Sequence, residues 1–441
     1  MGKELTRRSV IKSAASAAIG VGMAARTARA AADKPNEKVG IGFIGTGGRG
    51  TQLMRSFNKV PNARIVAVCD VHKDRLANGV KAAGTNPATY GDFRNLLEDP
   101  GVDAVVVATP GHWHVLPAID ACAAGKDVYI EKPIGTSIGE GRALIRATKH
   151  YKRLVQPGTQ QRSWPHYQEA VEVVRSGLLG EILNVHVWDL DNYYPGFGSP
   201  PDQDPPPELD WDFWLGPAPK KAYNPNYFAH HYWFYDYGNA WQVEWAVHHY
   251  DIVNWAMGVT EPISAVGLGA KVAYFDDNRE WPDTFTGACV YAPGPVAKKG
   301  FVLSYTFRDG NTLFYHGCTH GKAFHGTDGS LVLHRGGYTI HPMEHDGKKC
   351  FEQKTVIGGH EFEATVQHAA NFVNAIRNGT PLPATIEDGH HASNPGHLMN
   401  IAFRTGRKVR WDAENERVID DAEANKYLTK PYRAPWKLPF A

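Results

Sequence analysis

The strongest constraint on this chain is the glycine cluster Gly45-Thr46-Gly47-Gly48-Arg49-Gly50, set between the apolar run Val39 to Ile44 and the amphipathic run Arg49 to Phe57. Glycines between a strand and a helix let the backbone turn tightly, approach a ligand closely and pack helix on strand. The start of the helix then favours negative charge. Asp70 ends the next apolar run, Arg64 to Cys69, 20 residues beyond Gly50. A carboxylate there accepts hydrogen bonds from ribose hydroxyls and repels a 2′-phosphate, so the pattern predicts a dinucleotide site that prefers NAD to NADP.

The flanking pattern agrees. Strand-like runs at Ala104 to Thr109, Asp127 to Ile130 and Leu154 to Gln156 alternate with helical periodicity at Lys73 to Ala83, Val115 to Ala124 and Ser137 to His150. Such alternation predicts an α/β fold with a parallel sheet covered on both faces. Beyond Pro157 come helices at His166 to Ser176 and Val243 to Met257, with a strand at Ile182 to Asp189 between them. Strands are then expected at Ser264 to Val272, Thr284 to Tyr291, Phe301 to Phe307, Leu313 to Gly317 and Ser330 to His334. Helices at Glu363 to Arg377 and Asp388 to Arg404 and a strand at Arg407 to Trp411 follow. Consecutive strands joined by turns such as Arg308-Asp309-Gly310-Asn311 favour a large mixed or antiparallel sheet. The expected organisation is a Rossmann domain at 38–157, an α+β substrate domain at 158–411 and a tail at 412–441.

Residues 1–30 read as an address. Thr6-Arg7-Arg8-Ser9-Val10-Ile11-Lys12 is a twin-arginine pattern, followed by a weakly apolar run from Ala14 to Ala25 and the small-residue exit Ala28-Arg29-Ala30. The run is shorter than the roughly 20 residues a membrane span needs. Export by the twin-arginine machinery to the periplasm is expected, with Ala31 as the mature start. The chain carries 47 cations and 46 anions, and the first 30 residues hold six of the cations and one of the anions, so the remainder is −4. A slightly acidic body argues against nucleic acid as a partner. Five cysteines without a CxxC pair give no disulfide framework. Cys69 and Cys122 fall in apolar runs and read as buried thiols, while one bridge among Cys289, Cys318 and Cys350 stays open.

The glycine fingerprint combined with Ala108-Thr109-Pro110-Gly111-His112-Trp113-His114 and Glu131-Lys132-Pro133 resembles the Gfo/Idh/MocA family. The likeness continues through Asp210-Trp211-Asp212-Phe213-Trp214-Leu215-Gly216-Pro217, Gly326-Thr327-Asp328-Gly329 and Asn400-Ile401-Ala402-Phe403-Arg404. It implies that Thr109, Pro110 and His114 border a nicotinamide, with Glu131 beside them, and that Lys132 sits next to the nicotinamide and the reacting carbon. An ammonium there suits the orientation of a hydroxyl and the stabilisation of alkoxide charge. Gln160 and Arg162, just past the last strand of the sheet, are expected to face cofactor or substrate.

At the substrate end, Glu244 and His248 are four apart, so one helix would present both on one face, with Asp251 three further on. This resembles the family's Asp-x-x-x-His-x-x-Asp element, with Glu244 in place of the first Asp. The resemblance implies a catalytic group of Lys132, His248 and Glu244. Imidazole chemistry suits His248 for proton transfer near neutrality. His249 is expected to point elsewhere. A metal held by His230, His231, Glu244, His248 and His249 is the lesser alternative, because no third ligand has dependable spacing. Between Trp188 and Trp245, 17 of 58 residues are aromatic, against 11% in the whole chain. Rings stack on sugars, but they also pin long proline-rich excursions to a protein body. Tyr193, Tyr194, Trp233 and Tyr235 are the candidates for sugar contact, together with Lys132, Arg162, His248 and Asp251.

The expected activity is oxidation of a secondary hydroxyl of a sugar, glycoside or polyol by tightly held NAD, in a homo-oligomer by family analogy. A redox-neutral glycoside hydrolase working by oxidation, elimination and re-reduction is the alternative. A non-catalytic sugar-binding protein is the third reading.

Overall fold

In a computed structural model, which describes residues 38–441, the first layer is six parallel strands in the order β3-β2-β1-β4-β5-β6. They are β1 (Val39–Ile44), β2 (Ala63–Cys69), β3 (Ala88–Tyr90), β4 (Ala104–Val107), β5 (Asp127–Ile130) and β6 (Val155–Pro157). Between them lie α1 (Gly48–Phe57), α2 (Lys73–Ala83), α3 (Phe93–Glu98), α4 (Val115–Ala123) and α5 (Ile138–Tyr151). β1 and β4 are buried throughout, which explains their near-continuous apolar sequence. The order reverses between β1 and β4, where doubly wound sheets bind ligands. The exported leader expected at 1–30 falls outside the described residues.

The second domain begins with α6 (Pro165–Arg175) and β7 (Ile182–Leu190). The long excursion that follows carries α7 (Trp211–Leu215), α8 (Pro225–Ala229), α9 (Trp241–Glu244) and α10 (Val247–Met257). Strands β8 (Ser264–Ala270), β9 (Thr284–Tyr291), β10 (Phe301–Arg308), β11 (His320–Gly326), β12 (Gly329–His334) and β13 (Gly337–Pro342) come next. A two-stranded ribbon, β14 (Glu344–His345) and β15 (Lys348–Lys349), precedes β16 (Lys354–Ile357). The chain ends with α11 (Glu361–Asn378), α12 (Ile386–Thr405), β17 (Val409–Asp412), β18 (Arg417–Val418) and α13 (Ala422–Asn425). The ten-stranded sheet runs β16-β13-β12-β11-β7-β10-β9-β8-β17-β18 and is mixed, because β7 and β10 pair in parallel while the other pairs are antiparallel.

Several sequence expectations need correction. β3 and α3 are too short to leave a periodic signal. Leu313 to Gly317 is not a strand: only an isolated bridge joins Tyr315 to Cys318, and the strand starts later, at His320. The helix expected from Val243 to Met257 is two helices. The Ala246 N–H reaches back five residues to the Trp241 carbonyl, which over-widens the turn and offsets α10 from α9. All five cysteines are free thiols, with Cys69 and Cys122 buried as expected.

Two later segments, one expected in the second domain and one in the tail, cover the first domain. α11 lays Ala369, Phe372 and Val373 against Phe43, Phe57 and Tyr129 in one core on one face of the parallel sheet. On the other face, Tyr432, Trp436, Leu438 and Phe440 of the C-terminal tail pack on the α4 and α5 side, with the Trp436 ring edge-on to Trp113 at 4.9 Å. Among the described residues no helix is long and apolar enough to cross a membrane.

Candidate active site

Two contiguous cavities open at the carboxyl ends of β1, β2 and β4. The first, about 270 Å³, is lined by the glycine loop, Asp70, Arg75 and Ala108-Thr109-Pro110. Two glycines are required by the packing. Gly45 has φ +91°, and a Cβ there would lie 2.6 Å from the Ala108 carbonyl oxygen. A Cβ on Gly50 would lie 2.1 Å from the Gly45 carbonyl oxygen. Gly48, in contrast, faces open space, and Gly47 at the N-cap of α1 has no side chain to cap it. An open helix start of this kind fits a pyrophosphate. Asp70 holds the loop in shape. Its Oδ2 accepts from the Thr46 N–H at 2.8 Å and the Thr46 hydroxyl at 3.0 Å, and its Oδ1 accepts from the His72 N–H at 2.9 Å. Arg49 Nε donates to Glu131 Oε1 at 2.8 Å, leaving Arg49 Nη2 buried without a partner. A dinucleotide therefore fits the residues present.

The second cavity, about 600 Å³, shares Arg49, Ala108, Thr109 and His231 with the first and is lined further by Lys132, Gln160, Glu244 and His248. Lys132 Nζ donates to the Glu244 main-chain carbonyl. Burial lowers the lysine pKa, against the pull of Glu244 and Glu131. The Glu244 carboxyl is pushed up to about 7 by burial, with Lys132 opposing, and its Oε1 accepts from the Asn239 N–H at 3.2 Å. His248 is held well below its ordinary pKa by burial and by the nearby Lys132, Arg335 and Arg49 cations, so its imidazole is neutral. Its Nδ1 has no hydrogen-bond partner, and neither does Gln160 Oε1. Both His114 ring nitrogens approach carbonyl oxygens, Pro133 at 2.7 Å and Thr109 at 2.9 Å. A neutral ring donates to only one of them at a time. His114 thus braces the Thr-Pro loop against the loop carrying Lys132.

Glu244 and His248 share the cavity as the spacing predicts, although they come from two helices, α9 and α10, and no hydrogen bond joins them among the described residues. Arg162 and Asp251 do not line the cavity. They form a buried pair, with Arg162 Nη2 2.8 Å from Asp251 Oδ1. The four aromatic candidates also lie elsewhere. Tyr194 is 81% exposed, Trp233 is a core residue, Tyr193 bonds the Tyr232 hydroxyl at 3.0 Å, and Tyr235 packs under Arg404 and Lys430. The metal alternative does not assemble: His249 bonds Asp189 at 3.1 Å and His230 stacks on Phe197 at 4.4 Å.

The cavity wall is instead built by His231, Tyr232, Trp241, Trp245 and Arg335. The spacing of Trp241, Glu244, Trp245 and His248 is a one-face helical pattern and was readable as such. Arg335 comes from the turn between β12 and β13 and stands 4.9 Å over the Trp245 ring while pairing with Glu361, an arrangement with no sequence signal.

The doubly wound layer, joined at its ligand-binding edge to a mixed sheet, defines a two-domain dinucleotide-binding protein. The chain belongs to the Gfo/Idh/MocA family. Residues 39–159 match its "Oxidoreductase family, NAD-binding Rossmann fold", and residues 166–283 and 357–438 match its "Oxidoreductase family, C-terminal alpha/beta domain". A glycosyl hydrolase family 109 protein of Saccharopolyspora erythraea is 33% identical over 205 residues, 40% of this chain and 44% of that protein. An inositol 2-dehydrogenase of Serratia proteamaculans is 36% identical over 148 residues, 33% of this chain and 44% of that protein. The chain thus spans less than half the length of these curated relatives. Among solved structures, scyllo-inositol dehydrogenase from Lactobacillus casei with bound NAD(H) and scyllo-inositol superposes with TM-score 0.61 at 20% identity, covering 85% of this chain and 99% of that one. Levoglucosan dehydrogenase in complex with NADH and levoglucosan gives 0.65 at 18% identity, with the same coverage. These likenesses establish the fold.

Two outcomes follow from the buried charges. Asp251→Ala removes the closer of the two carboxylates at the buried Arg162, leaving Asp388 at 3.3 Å, so chemical denaturation should show a loss of about 3 kcal/mol. A residue that merely touched substrate would leave the midpoint unchanged. For Glu244, the folded pKa of about 7 lies above the ordinary 4.5. The native state keeps a proton that the unfolded chain releases between those values, so this group's contribution falls as pH rises through that window. Between pH 4.5 and 7, wild type should lose up to about 3 kcal/mol more than Glu244→Gln, read from urea midpoints.

Proposed function

We propose that the protein is an NAD-dependent oxidoreductase acting on a secondary hydroxyl of a sugar, glycoside or polyol. The observation that carries this reading is the pairing of a neutral, unpartnered His248 with Lys132 in a cavity continuous with the glycine-loop cleft. The loop, Arg49, Asp70, Thr109, Pro110 and Gln160 would hold the dinucleotide, and its nicotinamide supplies a hydride acceptor when bound. Asp70 at the end of β2 supports NAD over NADP.

Lys132 orients the substrate hydroxyl and stabilises alkoxide charge, with its own position set by the Glu244 carbonyl. His248 accepts the hydroxyl proton. Burial and the surrounding cations keep the ring neutral and ready to take it. Glu244 acts on Lys132 rather than on His248. Trp241 and Trp245 offer ring faces for the apolar side of a sugar.

The twin-arginine pattern supports export of the folded protein with its cofactor aboard, and hence tight binding. Recovery in the periplasm, abolished by Arg7→Lys with Arg8→Lys, checks export. The exposed apolar residues Val266, Leu268, Val290 and Val302 on β8, β9 and β10 support a homo-oligomer formed through the open face of the mixed sheet. A second reading, redox-neutral glycoside cleavage, is favoured by the glycosyl hydrolase family 109 relatives. Glycoside cleavage without net NADH would select it.

Purified protein given NAD and a sugar panel should raise the NADH absorbance at 340 nm. Lys132→Ala and His248→Ala should each lower kcat by about 10²–10⁴ while leaving bound nucleotide unchanged. Absence of both reduction and cleavage across the panel, or unchanged turnover in both variants, would reject the reading.

A further inference from the structure

The long aromatic excursion of the second domain does not line the substrate cavity with the residues its composition suggests. Much of it lies over the other cavity. The wall facing the glycine loop, Asp70 and Arg75 is made by Phe213, Trp214, Phe228, Ala229 and His231. A ligand between those two walls is enclosed by both domains.

The enclosing segment is latched to the first domain at a defined point. The chain just after β2 and the chain just before α7 form an isolated antiparallel bridge between His72 and Leu209. Its two main-chain hydrogen bonds run from the Lys73 N–H to the Glu208 carbonyl at 2.9 Å and from the Asp210 N–H to the Val71 carbonyl at 3.1 Å. Beside the bridge, the Arg75 guanidinium stands 4.1 Å over the Phe228 ring, and His72 stacks on the same ring at 5.7 Å. Asp70, the residue placed for the ribose, immediately precedes these latch residues. Between the bridge and Phe228 the segment is held in the interior of the first domain at Trp214, whose carbonyl accepts from Trp113 Nε1 at 2.8 Å and lies 2.9 Å from His112 Nε2. The chain leading into the bridge is stiff. Five prolines lie between 200 and 207, and Gln203 there bridges to Tyr223 of the segment.

The Trp214 anchor is buried, whereas the two main-chain bonds at 208 to 210 and the Phe228 ring are partly exposed, so the two flanks of the segment are the parts that open. We infer that residues 208 to 228 form a strap over the ribose end of the dinucleotide cleft, and that nucleotide enters and leaves only when this strap unlatches from Val71 to Lys73. Phe228 and Arg75 are then positioning residues for cofactor retention. The inference rests on the dinucleotide reading and gives the tight binding proposed above a physical cause.

The test follows exchange of radiolabelled NAD from the holoprotein into excess unlabelled NAD, independently of any substrate. Phe228→Ala removes the ring of the latch and should speed label loss at least tenfold. His72→Cys with Leu209→Cys places thiols at a non-hydrogen-bonded antiparallel pair, where Cα atoms stand about 4.5 Å apart, within disulfide range. The oxidised protein should release label at least tenfold more slowly than wild type, and dithiothreitol should restore the rate. Exchange within twofold of wild type in both the folded Phe228→Ala protein and the cross-linked protein overturns the strap while leaving the dinucleotide reading intact. A protein that takes up no labelled NAD overturns both.

Discussion

The ion pair between Arg49 and Glu131 ties the glycine loop to the loop that carries Lys132. One partner opens α1 and the other follows β5, so the pair, 82 residues apart in the chain, fixes the spacing between the glycine loop and the loop of Lys132. Burial alone would lower the Arg49 pKa, but Glu131 and Tyr129 outweigh it, so the cation is held firmly. A close approach backs the pair. A Cβ on Gly158, just after β6, would lie 2.7 Å from Glu131 Oε1, so the carboxylate is boxed in from the neighbouring strand end.

Around that fixed point, burial sets the chemistry. The same desolvation that keeps His248 neutral raises Glu244 and lowers Lys132, because low polarity disfavours every charged form. A lysine and a histidine close enough to share a cavity repel one another when both are charged, which reinforces the neutral state of the ring. Glu244 moderates this at the Lys132 end through its main-chain carbonyl, while its carboxyl accepts from the Asn239 N–H.

The parts of the site legible in the sequence are those written locally. Gly45 through Gly50, Asp70, Thr109 and Lys132 each sit at the end of a buried strand, and strand ends of a parallel sheet converge on one edge, so naming the strands names the site. Gln160 follows from the same argument. Arg162, only two residues further on, does not, because the short turn after β6 rotates its side chain toward Asp251 and away from the cavity. Tyr193, Tyr194, Trp233 and Tyr235 were poor guides for a related reason. In a segment rich in rings, composition cannot separate a ring that stacks on a neighbour from one that faces a cavity, and most of these pack on one another.

By itself the sequence determined the doubly wound first domain, the mixed-sheet character of the second and the dinucleotide fingerprint, because periodicity and glycine spacing are local properties of the chain. Tertiary structure alone decided that α11 and the C-terminal tail cover the first sheet, that α9 and α10 are separate helices, that Arg335 stands over Trp245, and that a strap from the second domain crosses the cofactor cleft. Each of these depends on contacts between segments distant in sequence. Such contacts are selected by the total apolar area and hydrogen bonding that the folded chain can bury, and no short window of residues carries that information.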